Sequence, residues 1–336
     1  MKVFIMQKIE KSEISKPKKI EMPEIDIPKS FVQVQFKSIL ESIGNTPLVK
    51  IPFDVPSTTL AKLEYLNPGE SVKARSAIFM IEEAERKGIL KPGSTIIDAS
   101  SGNQGAAVAM IGAIKGYKVI ITVSEKISQE KLQVLKAFGA QVVVCPSTDR
   151  IDDPSGYHSK AVEIHKNTPN SFMPNQYFNL SNSKSHEMLL GPEIWKQTHG
   201  KITHFFAAAG TGGTISGVGR FLKKMNSNIK VYALDSINSY RSTKGHPKPY
   251  KVEGMGIDFE SPVLDYSVID EIIEVRDEDA LAMLKTLAHN YGFLVGPSSG
   301  AVAWAAQKYS KDFSSDAVVV MIFGDSGRAY LTKNYY

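Results

Sequence analysis

One lysine, Lys73, lies in a sequence context that favours a role as a nucleophile. Lys73 follows the turn-rich segment LNPGESV (66–72), which delivers it to the first turn of a helix predicted over residues 76–88. Amide dipoles and a partly desolvated pocket disfavour an ammonium group there, and a lysine with a lowered pKa can attack a carbonyl carbon to form a Schiff base. The alternative is a solvated lysine near a helix start, and other residues of the chain are needed to distinguish the two interpretations.

Three further junctions place small and polar residues at predicted helix starts. The segment DASSGNQG (98–105) offers hydroxyls, amides and free N–H groups that suit a carboxylate, unless it is only an N-cap. The segment AGTGGTISG (209–217) suits a phosphate, although it has neither the lysine of a P-loop nor the full dinucleotide spacing. In GPSSGA (296–301) a serine can hydrogen-bond a ring nitrogen, although taken alone a simple N-cap explains it better.

The elements that must position these segments alternate along the chain from Ser38 onward. Strands are predicted over residues 59–66, 95–99, 118–123, 141–145, 204–208, 230–234, 271–275 and 317–323. Helices are predicted over residues 76–88, 102–115, 128–138, 157–166, 184–198, 213–225, 277–291 and 299–309. Several strands are apolar on both faces, which is typical of parallel strands covered by helices on both sides. We therefore predict an α/β fold, with ligands at the carboxyl ends of the strands.

Composition excludes several classes of function. The chain has 336 residues, which suits two domains, and its net charge of +5 is spread too evenly for a nucleic-acid-binding stripe. Cys145 is the single cysteine, so neither a disulfide framework nor a cysteine metal cluster is expected. No signal peptide and no bilayer-length apolar run is evident, which predicts a cytoplasmic protein with no membrane partner. Residues 1–36 are interpreted as an arm that is mobile or crosses a partner's surface.

A reactive lysine, a phosphate loop, a carboxylate site and a serine are together what an aldehyde cofactor with a phosphate and a pyridine ring requires. From about Ser38 to Lys333 the chain resembles the cysteine synthase and cystathionine β-synthase family of pyridoxal-phosphate enzymes. The motifs that carry the resemblance are SIGNTPLV (42–49), NPGESVK (67–73), SGN (101–103), GPEIW (191–195), GTGGT (210–214) and GPSSGA (296–301). Two further motifs, VEGMGIDF (252–259) with PVLD (262–265), and DSGRAYLTK (325–333), are closer to the cystathionine β-synthase branch.

The resemblance implies pyridoxal-phosphate fold type II, with two domains that each hold a mostly parallel sheet flanked by helices. Residues 37–58 plus 183–336 are expected to form a larger cofactor-binding domain, and residues 59–182 a smaller, movable one. Lys73 is expected to form the Schiff base and to move protons at the substrate α-carbon. The other cofactor contacts implied are Asn103 to the phenolic oxygen, Gly210, Thr211, Gly212, Gly213 and Thr214 to the phosphate, and Ser298 to the pyridine nitrogen. The residues implied to hold the substrate carboxylate are Ser100, Ser101, Gln104 and Gln176.

A serine opposite the pyridine nitrogen stabilises a protonated ring less than a carboxylate does, which favours elimination across the α–β bond. The resemblance therefore implies β-replacement on serine or an O-activated serine, through a bound aminoacrylate and with a thiol nucleophile. The partners expected are a small amino acid, a small nucleophile and, since family members are usually homodimers, a second copy of the chain. Two alternatives stay open: β-elimination of serine or cysteine to pyruvate and ammonia, and a catalytically impaired protein that binds a partner.

Several positions depart from the family pattern and leave the substrates open. Ala74 stands where an aspartate is usual, DAS (98–100) replaces Glu-Pro-Thr, and Gln104 replaces a threonine. Glu187 either faces the pocket, where it would repel an anionic substrate, or points to solvent. No haem-binding segment and no C-terminal regulatory module is expected.

Overall fold

Ten strands form two sheets among the described residues, which are 36–100, 102–148 and 150–336 of this computed structural model. The strands are β1 Leu48–Lys50, β2 Thr58–Leu63, β3 Thr95–Ala99, β4 Lys118–Ser124, β5 Gln141–Cys145, β6 Ser171–Phe172, β7 His204–Ala208, β8 Lys230–Ser236, β9 Glu271–Val275 and β10 Val318–Phe323. One sheet has six strands in the order β1-β2-β10-β7-β8-β9, and the other has four in the order β5-β4-β3-β6. All neighbours are parallel except β1 and β2.

The helices connect these strands as crossovers. They are α1 Lys73–Arg86, α2 Asn103–Lys115, α3 Gln129–Ala137, α4 Tyr157–Asn167, α5 Ser181–Ser185, α6 Gly191–Gln197, α7 Gly213–Met225, α8 Asp277–Tyr291 and α9 Pro297–Tyr309. A π-helical segment, His186–Leu190, joins α5 to α6, so the single helix predicted over 184–198 is in fact three segments. None of the helices in the described ranges is both long and apolar enough to cross a membrane.

Successive residues of the central strands are buried on opposite faces of the six-stranded sheet. Phe205 and Phe206 are both 0% exposed, and they belong to two different apolar clusters. Because neighbouring strand residues point to opposite faces, a sheet with both faces buried must be covered on both sides. Helix α9 packs on the face of Phe206, while α7 packs on the face of Phe205. The predicted α/β fold with mostly parallel sheets flanked by helices is therefore confirmed.

Strand β2 pairs with strands that lie on the other side of the predicted domain boundary. The boundary after residue 58 assigns β2 to the smaller domain, but β2 pairs with β1 and β10 in the six-stranded sheet. The parallel pairing of β2 with β10, which aligns Leu60 with Val320, places β2 in that sheet. Residues Ser38–Tyr336 form one compact unit, so the two-domain division and its movement stay predictions. Residues 1–35 of the predicted arm lie outside the described residues.

Candidate active site

A cavity of about 280 Å³ lies where helix starts and strand ends meet. Strands β3, β7 and β10 end beside it, as expected for ligands of parallel sheets. The structure brings most of the residues predicted from the sequence to its lining: Lys73, Ser100, Asn103, Gln104, Gln176, Gly210, Thr211, Thr214 and Ser298. Gly212 and Gly213 are not among the lining residues, and Ser101 lies outside the described residues.

Lys73 is the first residue of α1, and its amine is buried in the cavity. Burial lowers the pKa of Lys73, while the negative charge of Asp325 opposes that shift. The backbone before it is fixed by a hydrogen bond from the N–H of Val72 to the carbonyl of Gly324 (2.8 Å). A lysine held in this way has an enhanced fraction of neutral amine, which is the nucleophilic form.

The loop before α7 has the shape that a phosphate needs. Gly212 has a φ of +88°, and a Cβ there would stand 2.7 Å from Leu264, while a Cβ on Gly213 would stand 2.1 Å from the Asn182 side chain. Only glycine fits these positions without a shift of the neighbours. The hydroxyl of Thr211 accepts hydrogen bonds from Asn182 Nδ2 (3.0 Å) and from the N–H of Gly213 (3.2 Å). Together these hydrogen bonds fix the helix start of α7, and phosphate binding by this loop stays a prediction.

Ser298 lies in the first turn of α9 and faces the cavity between Gly254 and Gly324. Gly254 has a φ of +82°, and a side chain there would approach the Ser298 hydroxyl to 3.3 Å. The next residue, Ser299, accepts a hydrogen bond from the N–H of Gly324 (3.1 Å), which fixes the helix start. The Ser298 hydroxyl therefore stands at the cavity as a neutral hydrogen-bonding group, with no carboxylate in its place.

Two glutamines present unpartnered polar atoms to the cavity. Gln104 is 1% exposed, and its Nε2 has no hydrogen-bond partner in the described part of the chain. Its Oε1 is 3.5 Å from the Ser76 hydroxyl, which holds the side chain in place. Gln176 is also buried, and its Oε1 is likewise unpartnered among the described residues. Buried polar atoms without partners are costly, so a donor and an acceptor of this kind are suited to a polar ligand.

Asp325 is a site residue that the sequence reasoning missed as a functional group. It follows β10, and its Oδ2 accepts hydrogen bonds from Asn103 Nδ2 (2.8 Å) and the Tyr330 hydroxyl (2.6 Å). Its Oδ1 is buried with no partner in the described ranges, and burial raises the pKa of this carboxyl. Asp325 thus orients the Asn103 amide at the cavity. The signal available was the motif DSGRAYLTK, which marked a branch of the family but gave no contact.

Of the departures from the family pattern, Ser100 and Gln104 line the cavity, whereas Glu187 and Ala74 lie outside it. Glu187 accepts a hydrogen bond from Arg220 Nε (3.0 Å), and Arg220 also pairs with Asp265 (3.1 Å). Glu187 is half-buried in that ion pair and does not line the cavity, so of the two alternatives, facing the pocket is excluded. Ala74 is fully buried beside Lys73 on α1 and also does not line the cavity.

Asp98 is a buried carboxyl near the end of β3. Burial raises its pKa to about 7, although the N–H groups of Ala99 and Asn175 donate to it and partly oppose the shift. Its Oδ2 has no partner within the described residues. The group is therefore protonated in the folded chain up to about neutral pH, whereas an unfolded aspartate ionises near pH 4.

We predict that Asp98→Asn stabilises the protein more at pH 8 than at pH 5. Between about pH 4 and 7 the native state binds a proton that the unfolded state has lost, so the free energy of unfolding falls as the pH rises. Asparagine removes this loss, and the expected gain at pH 8 is on the order of 2–4 kcal/mol. Urea unfolding at both pH values measures it, with the exposed Asp54→Asn as control. An equal effect of Asp98→Asn at pH 5 and pH 8 would contradict the shifted pKa.

A buried lysine at a helix start, a glycine-shaped anion loop and a neutral serine on a doubly covered parallel sheet define an enzyme of the pyridoxal-phosphate type. A family profile described as "Pyridoxal-phosphate dependent enzyme" matches residues 39–325, and the chain belongs to this family. It is similar to cystathionine beta-synthase of Apis mellifera (43% identity over 88% of this chain and 60% of that protein). It is also similar to cysteine synthase of Staphylococcus aureus (40% identity over 89% and 96%).

Solved structures agree with this placement. The O-acetylserine dependent cystathionine beta-synthase from Helicobacter pylori has a TM-score of 0.84 at 34% identity, over 90% of this chain and 99% of that one. A hydrogen sulfide-producing enzyme from Fusobacterium nucleatum has a TM-score of 0.83 at 36% identity, over 88% and 98%. The resemblance to the cysteine synthase and cystathionine β-synthase family and the pyridoxal-phosphate cofactor are thereby confirmed.

Proposed function

We propose that the protein catalyses β-replacement on serine or an O-activated serine, with a thiol as nucleophile, in sulfur amino-acid metabolism. The observation that carries the proposal is the convergence of Lys73, the GTGGT loop and the unpartnered glutamines in one cavity. The relatives named cystathionine beta-synthase and cysteine synthase support it.

In this proposal Lys73 would hold the cofactor aldehyde, the loop of residues 210–214 would hold its phosphate, and Ser298 would hydrogen-bond its ring nitrogen. When bound, pyridoxal phosphate withdraws electrons from the substrate α-carbon, so that a proton there becomes labile. Lys73 lines the cavity and burial lowers the pKa of its amine, so Lys73 is the proposed acceptor of that proton. Ser298 carries no charge to hold the ring nitrogen protonated, which favours departure of the β-substituent.

The substrate carboxylate is the proposed ligand of Ser100, Ser101, Gln104 and Gln176. Gln104 Nε2 is a buried donor with no partner among the described residues, and a carboxylate oxygen would satisfy it. A substrate carboxylate held at this helix start would position the α-carbon next to Lys73. Binding energy would then restrict the substrate to a reactive orientation. Gln104 has a longer side chain than threonine, so it narrows this part of the cavity and favours a small donor.

A substrate screen tests the proposal. Protein loaded with pyridoxal phosphate is incubated with serine, O-acetylserine, O-phosphoserine or cysteine, each with and without a thiol or sulfide, and products are separated by chromatography. The expected product is a thioether amino acid or cysteine, formed only when both substrates are present. Consumption of none of these donors would overturn the proposal.

A second candidate function is β-elimination, which the hydrogen sulfide-producing structural relative favours. It predicts pyruvate and ammonia from serine or cysteine without an added nucleophile. The binding-partner alternative is not proposed, because membership of the family and the presence of Lys73 in the cavity both favour an enzyme.

We also propose that the protein acts as a homodimer in the cytoplasm. Several large apolar side chains are exposed and support a partner: Ile39, Leu180, Met188 and Leu189. Met188 and Leu189 line one groove together with Leu40 and Ile43. Sedimentation equilibrium is expected to give twice the mass of the chain, and the mass of a single chain would contradict the dimer.

A further inference from the structure

The π-helical segment His186–Leu190 packs directly against α7, the helix whose first turn belongs to the GTGGT loop. A Cβ on Gly217 of α7 would stand 2.0 Å from the carbonyl oxygen of Ser183 and 2.7 Å from His186 Cβ, so only glycine allows this close approach. Further along α7, Arg220 pairs with Glu187 of the same segment (3.0 Å). Helical turns of the π type are frequent at functional sites, and this one is fixed to the helix that carries the predicted phosphate site.

His186 is a buried imidazole with one polar contact. It is 1% exposed, and it does not itself line the cavity. Its Nε2 is 3.4 Å from the hydroxyl of Thr214, which does line the cavity. Its Nδ1 is buried and has no hydrogen-bond partner within the described ranges. The polar influence of His186 on the cavity therefore passes through the Thr214 hydroxyl.

The imidazole of His186 is neutral. Burial lowers its pKa well below the usual value, and the positive charges of Lys73 and Arg75 lower that pKa further. A neutral imidazole carries a hydrogen on one ring nitrogen and a lone pair on the other. His186 can therefore either donate to the Thr214 hydroxyl or accept from it, but it cannot do both.

The two tautomers have opposite consequences for the cavity. With the hydrogen on Nδ1, a buried N–H has no acceptor in the described part of the chain, and the Thr214 hydroxyl turns its own hydrogen towards Nε2. With the hydrogen on Nε2, only a lone pair is unpartnered, and the hydroxyl keeps its hydrogen for a ligand. Buried N–H groups without an acceptor are rarer than buried acceptors without a donor, which favours the second tautomer. A hydroxyl in that state is a donor for an anion such as a phosphate oxygen.

We propose that His186 is a positioning residue for the cofactor phosphate: its Nε2–H donates to the Thr214 hydroxyl and directs the hydroxyl hydrogen into the cavity. The inference rests on the proposed function, in which the GTGGT loop would hold that phosphate. Both ends of the contact are fixed, because the π-helical segment holds the imidazole and the first turn of α7 holds Thr214. No bond is made or broken, so the effect lies in the affinity for a phosphate group.

Pyridoxal isolates this effect, because it has the aldehyde and the ring of the cofactor but no phosphate. The measured quantity is the Kd for pyridoxal phosphate divided by the Kd for pyridoxal, from fluorescence titrations of the full chain after removal of bound cofactor. In His186→Asn, whose amide is too short to reach the position of Nε2, we expect this quotient to rise about tenfold. In His186→Gln, whose amide nitrogen can occupy that position, we expect the quotient to stay near its wild-type value.

His204→Asn is the matched control for these variants. His204 also contacts a threonine hydroxyl, since its Nδ1 is 2.7 Å from Thr203 Oγ1, but it does not line the cavity. Its replacement should leave the quotient unchanged. An unchanged quotient in His186→Asn, with both Kd values raised equally, would assign His186 a packing role and overturn the inference.

A double-mutant cycle tests whether His186 acts through Thr214. Thr214→Val removes the hydroxyl but keeps a branched side chain of similar size. Adding His186→Asn to Thr214→Val should therefore change the quotient by less than about twofold. A further rise of about tenfold in the double variant would overturn the inference, because His186 would then act by another route.

The tautomer of His186 can be measured in the wild type with pyridoxal phosphate bound. Long-range ¹H–¹⁵N correlation spectra of protein labelled with ¹⁵N-histidine distinguish the two tautomers, and the signal absent from His186→Gln identifies the residue. We expect a hydrogen on Nε2 alone. A hydrogen on Nδ1, or a charged ring near neutral pH, would overturn the inference even where β-replacement is observed. A wild type that consumes none of the donors, but shows the Nε2–H tautomer and the altered quotient, would overturn the proposed function and leave His186 its role in phosphate binding.

Discussion

Replacing Lys73 with alanine is expected to lower kcat/KM by at least ~10³-fold for any donor that the wild type accepts. Lys73 is the lysine that starts α1 inside the cavity, and its pKa is lowered by burial. The variant loses both the amine that bonds to the cofactor aldehyde and the base that accepts the substrate proton. These two roles belong to one side chain, so the loss is larger than for any carboxylate-binding residue of the site.

Steady-state assays with the donor from the substrate screen measure this effect. Lys87→Ala, at the exposed end of the same helix, is the control and should keep wild-type activity. Circular dichroism checks that both variants fold. Activity within tenfold of wild type in a folded Lys73→Ala protein would remove Lys73 from the chemistry and with it the proposed mechanism.

Replacing Arg75 with methionine is expected to lower the free energy of unfolding by about 3–5 kcal/mol. Arg75 is 2% exposed, and its guanidinium donates to Glu64 (2.7 and 2.8 Å) and to Glu193 (2.8 Å). Burial by itself would lower the pKa of Arg75, but the two carboxylates outweigh it and hold that pKa above its usual value. Methionine fills similar space but leaves the buried Glu64 carboxylate without its cationic partner, with only the neutral donors Thr46 and Asn67.

Urea unfolding followed by tryptophan fluorescence measures the loss, with Arg150→Met as the control. Arg150 pairs with Asp152 at the surface, where its side chain is 77% exposed, so its replacement should cost little. Because Arg75 lies on α1 two residues after Lys73, the same variant is expected to weaken cofactor binding. A loss below ~1 kcal/mol would show that the cluster tolerates an unpaired carboxylate and that Arg75 does not hold α1 in place.

Several strands could be predicted because the signals that define them are local in the sequence. Strands β3, β5, β7 and β9 have the predicted bounds, since each is a short apolar or β-branched run between turn signals. The missed strands β1 and β6 have three and two residues, too few to show a period. The helix predicted over 184–198 is interrupted by the π-helical segment, and its hydrophobic pattern did not reveal the change in backbone pitch.

The site was predictable where small and polar residues stand at helix starts, as in the GTGGT loop and the segment around Asn103. It was not predictable where tertiary contacts create it. Asp325 meets Asn103 across 222 positions of sequence, and nothing local to either residue states that contact. The same holds for Glu187, whose partner Arg220 is on another helix, and for His186, whose contact with Thr214 spans 28 positions.

A covalent bond between Lys73 and pyridoxal phosphate is central to the proposed function, and one measurement tests it directly. The purified protein is incubated with pyridoxal phosphate, reduced with borohydride, digested and mapped by mass spectrometry. Reduction makes a lysine–aldehyde bond permanent, so the modified peptide identifies the residue. We predict one stoichiometric adduct, located on Lys73. Absence of an adduct, or a stoichiometric adduct on a different lysine, would contradict this role of Lys73.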